Sequence, residues 1–139
     1  MSLERFCRKH IVSTTTQQSA LEAAQRMNES HVGAVVVTDD GKPVGMLTDR
    51  DLVMRVVAEG RDAARTPVGD IMSRDLAFVY DDDNIDSAAA CMRQAGVRRL
   101  PILHHDGTLA GMVTLDDLMV LFSAELSTTA GAVRENRGP

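Results

Sequence analysis

The segment Gly45-Met46-Leu47-Thr48-Asp49-Arg50-Asp51-Leu52 returns 66 positions later as Gly111-Met112-Val113-Thr114-Leu115-Asp116-Asp117-Leu118. Five of the eight positions are identical, and Leu47/Val113 keeps its apolar character. A repeat of this kind constrains the fold strongly, because each copy is one supersecondary unit that must pack on another to bury a core. The repeat extends upstream. Ala20, Ala23, Ala24 and Met27 take the i, i+3, i+4, i+7 spacing of one helix face, and Ile85, Ala88, Ala89 and Met92 take it 65 residues later. Val32-Gly33-Ala34-Val35-Val36-Val37 then corresponds to Val97-Arg98-Arg99-Leu100-Pro101-Ile102. The offset changes where Thr38-Asp39-Asp40-Gly41 meets the longer Leu103-His104-His105-Asp106-Gly107. A hairpin tip is where one extra residue costs least. The leading segments, Leu3-Glu4-Arg5-Phe6-Cys7 and Val68-Gly69-Asp70-Ile71-Met72, also align.

Each copy is expected to form a strand, a helix, a hairpin and a second helix. Ile11-Val12 and Ala77-Phe78-Val79 suit short strands. Ser19 with Glu22 gives the first helix a capping-box start, and Asn84 serves as N-cap in the second copy behind Asp81-Asp82-Asp83. Asp40-Gly41 and Asp106-Gly107 signal hairpin turns. The closing helix of the first copy runs from Thr48 to about Glu59 with Gly60 as C-cap, and its partner starts at Thr114 and fades near Ser127. The expected division is residues 1–66 for the first repeat with its linker, 67–126 for the second, and a disordered tail over 127–139.

Composition narrows the class. At 139 residues a single domain buries roughly 68% of its unfolded surface. With no Trp, one Tyr and three Phe, the core must come from Val, Leu, Ile, Ala and Met. Cys7 and Cys91 are not repeat-related and no CxxC occurs, so neither a disulfide scaffold nor a metal knuckle is expected. No segment approaches ~18 apolar residues and no signal peptide is visible, so a cytoplasmic, membrane-free protein is expected. Residues 1–66 carry nine basic and nine acidic side chains, and residues 67–139 carry six and eleven. Nucleic acid binding, which needs a clustered positive excess, is not expected.

The repeated Thr-x-x-Asp has two readings. An ionised Asp accepts hydrogen bonds from both hydroxyls of a ribose diol. A Thr hydroxyl and free amides at a helix start donate to phosphate oxygens. Thr48 with Asp51, and Thr114 with Asp117, have this arrangement. The same spacing is also that of a capping box, although such boxes favour Glu or Gln. The two readings are compatible.

Two strand-helix-strand-strand-helix units, each ending Gly-apolar-apolar-Thr-x-x-Asp-Leu, resemble a tandem pair of cystathionine-β-synthase (CBS) domains, a Bateman module. The resemblance spans roughly residues 3–126, and the Val-Gly-Asp-Ile-Met segment at 68–72 and Val97-Arg98-Arg99-Leu100-Pro101 add to it. It implies an α+β fold of two pseudo-twofold-related repeats packed as one module, with clefts for adenine nucleotides or related adenosyl ligands. It implies a first site of Met46, Leu47, Thr48, Arg50 and Asp51 with Leu76, Ala77, Val97, Arg99 and Pro101, and Arg98 as a further phosphate partner. The second site would use Met112, Val113, Thr114 and Asp117 with Ile11, Val12, Val32, Ala34 and Val36. Because Gly33-Ala34 stand where the other copy has two arginines, a phosphorylated ligand is expected to prefer the first site.

The resemblance further implies a regulatory, non-catalytic module of AMP, ADP, ATP or an adenosyl relative, acting on an unidentified protein and requiring no cofactor. A constitutive dimerisation or scaffold module is the alternative. A homodimer is expected through the Leu52/Val56 and Leu118/Phe122 stripes. His104-His105-Asp106 reads as an exposed turn with no third metal ligand near in sequence, so no metal is expected. His10 and His31 read as structural residues at strand starts. Cys7 and Cys91 read as structural thiols, and Met27 and Met92 as packing residues.

Overall fold

The computed structural model describes Leu3 and residues 11–135. Cys7 and His10, and most of the first leading segment, lie outside the described residues. Local signals start the helices, with Ser19 supplying its own half of the expected capping box. Ser19 Oγ accepts from the Glu22 N–H at 3.1 Å and opens α1 (Ala20–Ser30). Asn84 Oδ1 accepts from the Ser87 N–H at 2.8 Å and opens α3 (Ile85–Ala95). Both helices end on a left-handed residue, His31 in one copy and Gly96 in the other.

Two three-stranded sheets follow the repeat. β1 (Ser13–Thr15) runs parallel to β2 (Ala34–Asp39), which pairs antiparallel with β3 (Lys42–Thr48). β4 (Val79–Tyr80), β5 (Arg99–Leu103) and β6 (Leu109–Thr114) repeat the order. The register slips at the same place in both hairpins, between Val37 and Thr38 and between Ile102 and Leu103. The first strands begin later than Ile11-Val12 and Ala77-Phe78-Val79 suggest, because their ladders start at Ser13 and Val79, so that of the expected residues only Val79 is in a strand. β4 is one residue shorter than β1 for a chemical reason. The Val36 N–H donates to the Val12 carbonyl at 3.1 Å. Pro101 stands at the corresponding position and has no N–H to give Ala77.

Thr48 closes β3 and opens α2 (Asp49–Leu52), which continues as a π turn over Val53–Val57. Gly60 then takes a positive φ of 67° beyond the helix, where its freedom from a Cβ is needed. Thr114 opens α4 (Leu115–Glu135). This helix corrects the expected tail: residues 127–135 are helical, and Thr128 and Thr129 hydroxyls donate to the carbonyls of Ala124 and Glu125. No proline interrupts the run before Pro139, and Ala, Leu, Glu and Arg sustain it.

Each sheet buries one core, and the leading segments cross between them. Val68, Ile71 and Met72 pack with Ala20, Ala23, Met27, Val35, Val37, Leu47 and Val56 in the first core. Leu3 instead packs with Val79, Ile85, Ala88, Met92, Leu100, Ile102, Val113 and Leu118 in the second. The backbone repeats the exchange: Val68 N–H donates to the Gln18 carbonyl (2.8 Å) and Leu3 N–H to the Asp83 carbonyl (3.0 Å). The sequence units are therefore not the spatial units. Each repeat's helices close over a core that the other repeat's leading segment completes.

Candidate functional site: two clefts between the repeats

The two ends of Thr-x-x-Asp meet as reciprocal caps. The Asp51 N–H donates to Thr48 Oγ1 at 3.1 Å, and the Thr48 N–H donates to Asp51 Oδ2 at 3.0 Å. In the second copy the Asp117 N–H donates to Thr114 Oγ1 and the Thr114 N–H to Asp117 Oδ2, both at 3.1 Å. The structure thus contains the capping box. It leaves Asp51 Oδ1 facing Arg55 Nη2 at 3.7 Å, while Arg55 Nη1 donates to the Ile71 carbonyl at 2.8 Å. Both helix starts are tied to the neighbouring strand: Asp49 N–H donates to Gly33 O (2.9 Å) and Leu115 N–H to Arg98 O (2.7 Å).

These starts open onto two cavities. Cleft one, about 520 Å³, brings together Met46, Thr48, Arg50 and Asp51 with Leu76, Ala77, Val97, Arg98 and Arg99. Asp49, Ser73, Asp75 and Gly96 complete its wall. Cleft two, about 300 Å³, joins Met112 and Thr114 to Ile11, Val12, Val32 and Ala34, with His31, Gly33 and Asp116 added. Ligand pockets commonly span about 300–1,000 Å³, so cleft one has room where cleft two is at the lower limit.

Four expected strand residues do not reach the cleft walls. Leu47, Val113 and Val36 are fully buried in the sheets, and Pro101 is buried in β5. Alternation puts Leu47 on the core side of β3 between Met46 and Thr48, and Val113 likewise in β6, whereas Val36 and Pro101 pair with Met46 and Met112 on the cleft-side face of their sheets and are buried there. Asp117 is engaged at the start of α4, and Asp116 rather than Asp117 reaches the wall of cleft two.

The arginines correct the expected asymmetry. Arg98 and Arg99 line both clefts, not the first alone. Arg99 begins β5 directly opposite Thr114, and Arg98 Nη2 lies 3.6 Å from the exposed Asp116 carboxylate. They stand between the clefts. The remaining asymmetry is one of size, of the Asp51 carboxylate on the wall of cleft one, and of the Ala77 carbonyl that Pro101 cannot engage.

Sequence reasoning missed a second cluster. Asp81 Oδ2 lies 2.7 Å from His104 Nδ1, and both Asp82 oxygens lie 2.9 Å from His105 Nε2. The His104 hydrogen bond pulls the Asp81 pKa down, while the bond and charge of Asp82 push that of His105 up. The hairpin histidines are exposed, as the sequence suggests, and they have acidic partners that the sequence does not place near them. Those partners are 23 residues away in sequence, and only the parallel β4–β5 pairing brings them near. Among the described residues, no helix is long and apolar enough to cross a membrane.

With two such units and two clefts described, the class is clear, and comparison with known proteins agrees. The CBS domain pattern matches residues 3–58 and 68–124, so the chain belongs to the CBS domain family as a tandem pair. The CBS domain-containing protein YhcV of Bacillus subtilis is 39% identical over 110 residues, covering 79% of this chain and 77% of that one. An uncharacterised Methanopyrus kandleri protein is 33% identical over 120 residues, and the match spans 86% of this chain but 61% of that relative's length. A CBS domain protein of Pyrobaculum aerophilum, solved in complex with AMP, superposes with a TM-score of 0.76 at 25% identity, covering 84% of this chain and 89% of that one.

Proposed function

We propose that this chain is a regulatory ligand-sensing module whose cleft one takes an adenosyl ligand, with AMP as the leading candidate. The observation that carries the reading is the composition of cleft one. Thr48 and the Asp51 carboxylate line it together with apolar Leu76, Ala77 and Val97 and with arginines that also line cleft two. Asp51 would accept from the ribose hydroxyls, and the arginines and Thr48 would donate to phosphate. The Ala77 carbonyl, which receives no N–H from Pro101, would accept from the 6-amino group of the purine. The AMP complex of the Pyrobaculum relative supports the ligand class.

The wall of cleft one carries three arginines (Arg50, Arg98, Arg99) against three carboxylates (Asp49, Asp51, Asp75). That balance favours AMP or an adenosyl compound of low charge over ATP, whose added phosphates would face like charge. Bound ligand would stabilise one arrangement of the repeats and alter contact with a regulated protein in the cytoplasm, by no more than its differential affinity for the two arrangements. The role is sensing, without catalysis.

The module would work as a homodimer, through a face one register away from the expected stripes. Val56 and Leu118 are used inside the chain, at 3% and 0% exposure, whereas Val53, Met54, Val57, Met119 and Val120 stand out from the π turn that continues α2 and from α4. The exposed apolar set on both closing helices supports burial against a second copy.

Thermal denaturation with AMP, ADP, ATP, NAD, S-adenosylmethionine and inosine monophosphate tests the ligand reading. A ligand at 100 times its dissociation constant adds about 2.7 kcal/mol to stability. AMP should raise the transition clearly, and inosine monophosphate, which lacks the amine, much less. No shift with any adenosyl compound would leave the constitutive scaffold as the better account.

A further inference from the structure

The longer hairpin of the second repeat carries His104 and His105 where the first repeat has Asp39-Asp40. The fold holds these histidines against a second segment. Tyr80 pairs with Leu103 in the parallel ladder, and the Asp81 N–H donates to the Leu103 carbonyl at 3.0 Å. The turn after β4 is thereby fixed beside the hairpin, which is closed by His104 N–H to Thr108 O (2.8 Å) and Gly107 N–H to His104 O (2.9 Å). The Tyr80 ring stacks on the His105 imidazole, with centroids 4.3 Å apart and planes within 17°. Ring orientation, and not only proximity, is therefore held.

The first repeat shows what the fold itself requires. There the Thr15 N–H donates to Gln18 Oε1 at 3.1 Å, and in the second repeat the Tyr80 N–H donates to Asp83 Oδ2 at 2.8 Å. Asp83 thus does the structural work of this turn. Asp81 and Asp82 stand where the first repeat has Thr16 and Gln17, so neither carboxylate is needed to build the unit. The ligand atoms of Asp81, Asp82 and His105 lie within 4.8 Å of one another. One ion at bond lengths of about 2.0–2.2 Å sets its ligand atoms about 3–3.5 Å apart, which small side-chain rotations reach from here. Side-chain exposures of 24% at Asp81 and 67% at Asp82 leave open approach and room for coordinated water.

We propose that Asp81, Asp82 and His105, with His104 beside them, form a divalent transition-metal site peculiar to the second repeat. Imidazole with carboxylates and no thiolate suits Zn²⁺ or Co²⁺ better than Cu(I), and the imidazole disfavours Mg²⁺ and Ca²⁺. The carboxylates that face the His105 ring nitrogen would hold a cation beside it. The site stands apart from both clefts, and an ion there would clamp the turn after β4 to the β5–β6 hairpin.

The test is titration of the chelator-stripped full chain with Co²⁺, read by visible absorption, and with Zn²⁺, read by calorimetry. One ion per chain should bind, unaffected by excess Mg²⁺. Asp82→Asn and His105→Gln should each weaken it by about tenfold or more, and the two together should remove it. Asp40→Asn, in the matching hairpin of the first repeat, should leave it unchanged. All these side chains are exposed, and circular dichroism on each variant is the check that it is folded. Absence of saturable binding up to about 1 mM metal, or binding that survives in Asp82→Asn/His105→Gln, would overturn the proposal.

Discussion

Replacing Asp51 by Asn separates what this residue does for its helix from what it does for a ligand. In the folded chain Asp51 Oδ2 accepts the Thr48 N–H at 3.0 Å, and an Asn amide oxygen can keep that bond. Two terms are lost. The negative charge at the helix start is worth about 0.3–1 kcal/mol, and the 3.7 Å pair with Arg55, spaced i, i+4, about 0.3–0.5 kcal/mol. Stability should fall by about 0.5–1.5 kcal/mol, measurable by urea denaturation without ligand. Binding should fall further. A charge-assisted hydrogen bond contributes about 1.5–3 kcal/mol, which is roughly 10- to 150-fold in affinity. Calorimetry with AMP on the same samples reads this directly. A 2′-deoxyribose analogue should bind the native chain weakly, and the Asn variant should discriminate against it much less. If the variant loses stability as calculated while its AMP affinity is unchanged, Asp51 is a cap alone and the ribose role is refuted.

Three further outcomes follow from particular residues. Pro101→Val should restore an N–H able to pair with the Ala77 carbonyl, so AMP affinity should fall while inosine monophosphate, which lacks the amine, changes little; equal effects on both would oppose the carbonyl's role. Gly45→Ala places a Cβ 2.5 Å from the Ser73 carbonyl and 3.0 Å from Met72 Sδ, where β3 pairs with the segment after Val68–Asp70; it should cost about 1–3 kcal/mol in urea denaturation, and a neutral result would mean that the segment yields freely. Val57→Glu, at a side chain 73% exposed, should convert a dimer to a monomer of about 15.1 kDa in sedimentation with little change in the chain's own stability; an unchanged dimer would place the interface elsewhere.

Much of this was legible in the sequence because the repeat states each element twice. The Ser19 and Asn84 caps, both hairpins, the Met27 and Met92 core faces and the Thr-x-x-Asp helix starts all stand where periodicity places them. What escaped depends on tertiary pairing. Alternation along β3 sends Leu47 to the core between Met46 and Thr48, but a motif read as one block assigns all three to the cleft. Arg98 and Arg99 serve two clefts because Arg99 opposes Thr114 at the start of β5, a register no linear spacing discloses. The outward apolar face lies one position from Val56 and Leu118, since core packing decides which side of each helix turns inward. Asp81 and Asp82 meet His104 and His105 only through a parallel ladder, the contact least visible in a chain. The helix beyond Ser127 was missed because few large apolar residues mark it, although no proline falls within Leu115–Glu135.

Calorimetric titration of the purified chain with AMP tests the central claim most directly. Saturable binding dominated by one strong site per chain, weakened by Asp51→Asn, is the predicted result. An absence of saturable heat with AMP, S-adenosylmethionine and ATP alike, up to about 1 mM in a chain that is folded, would contradict it.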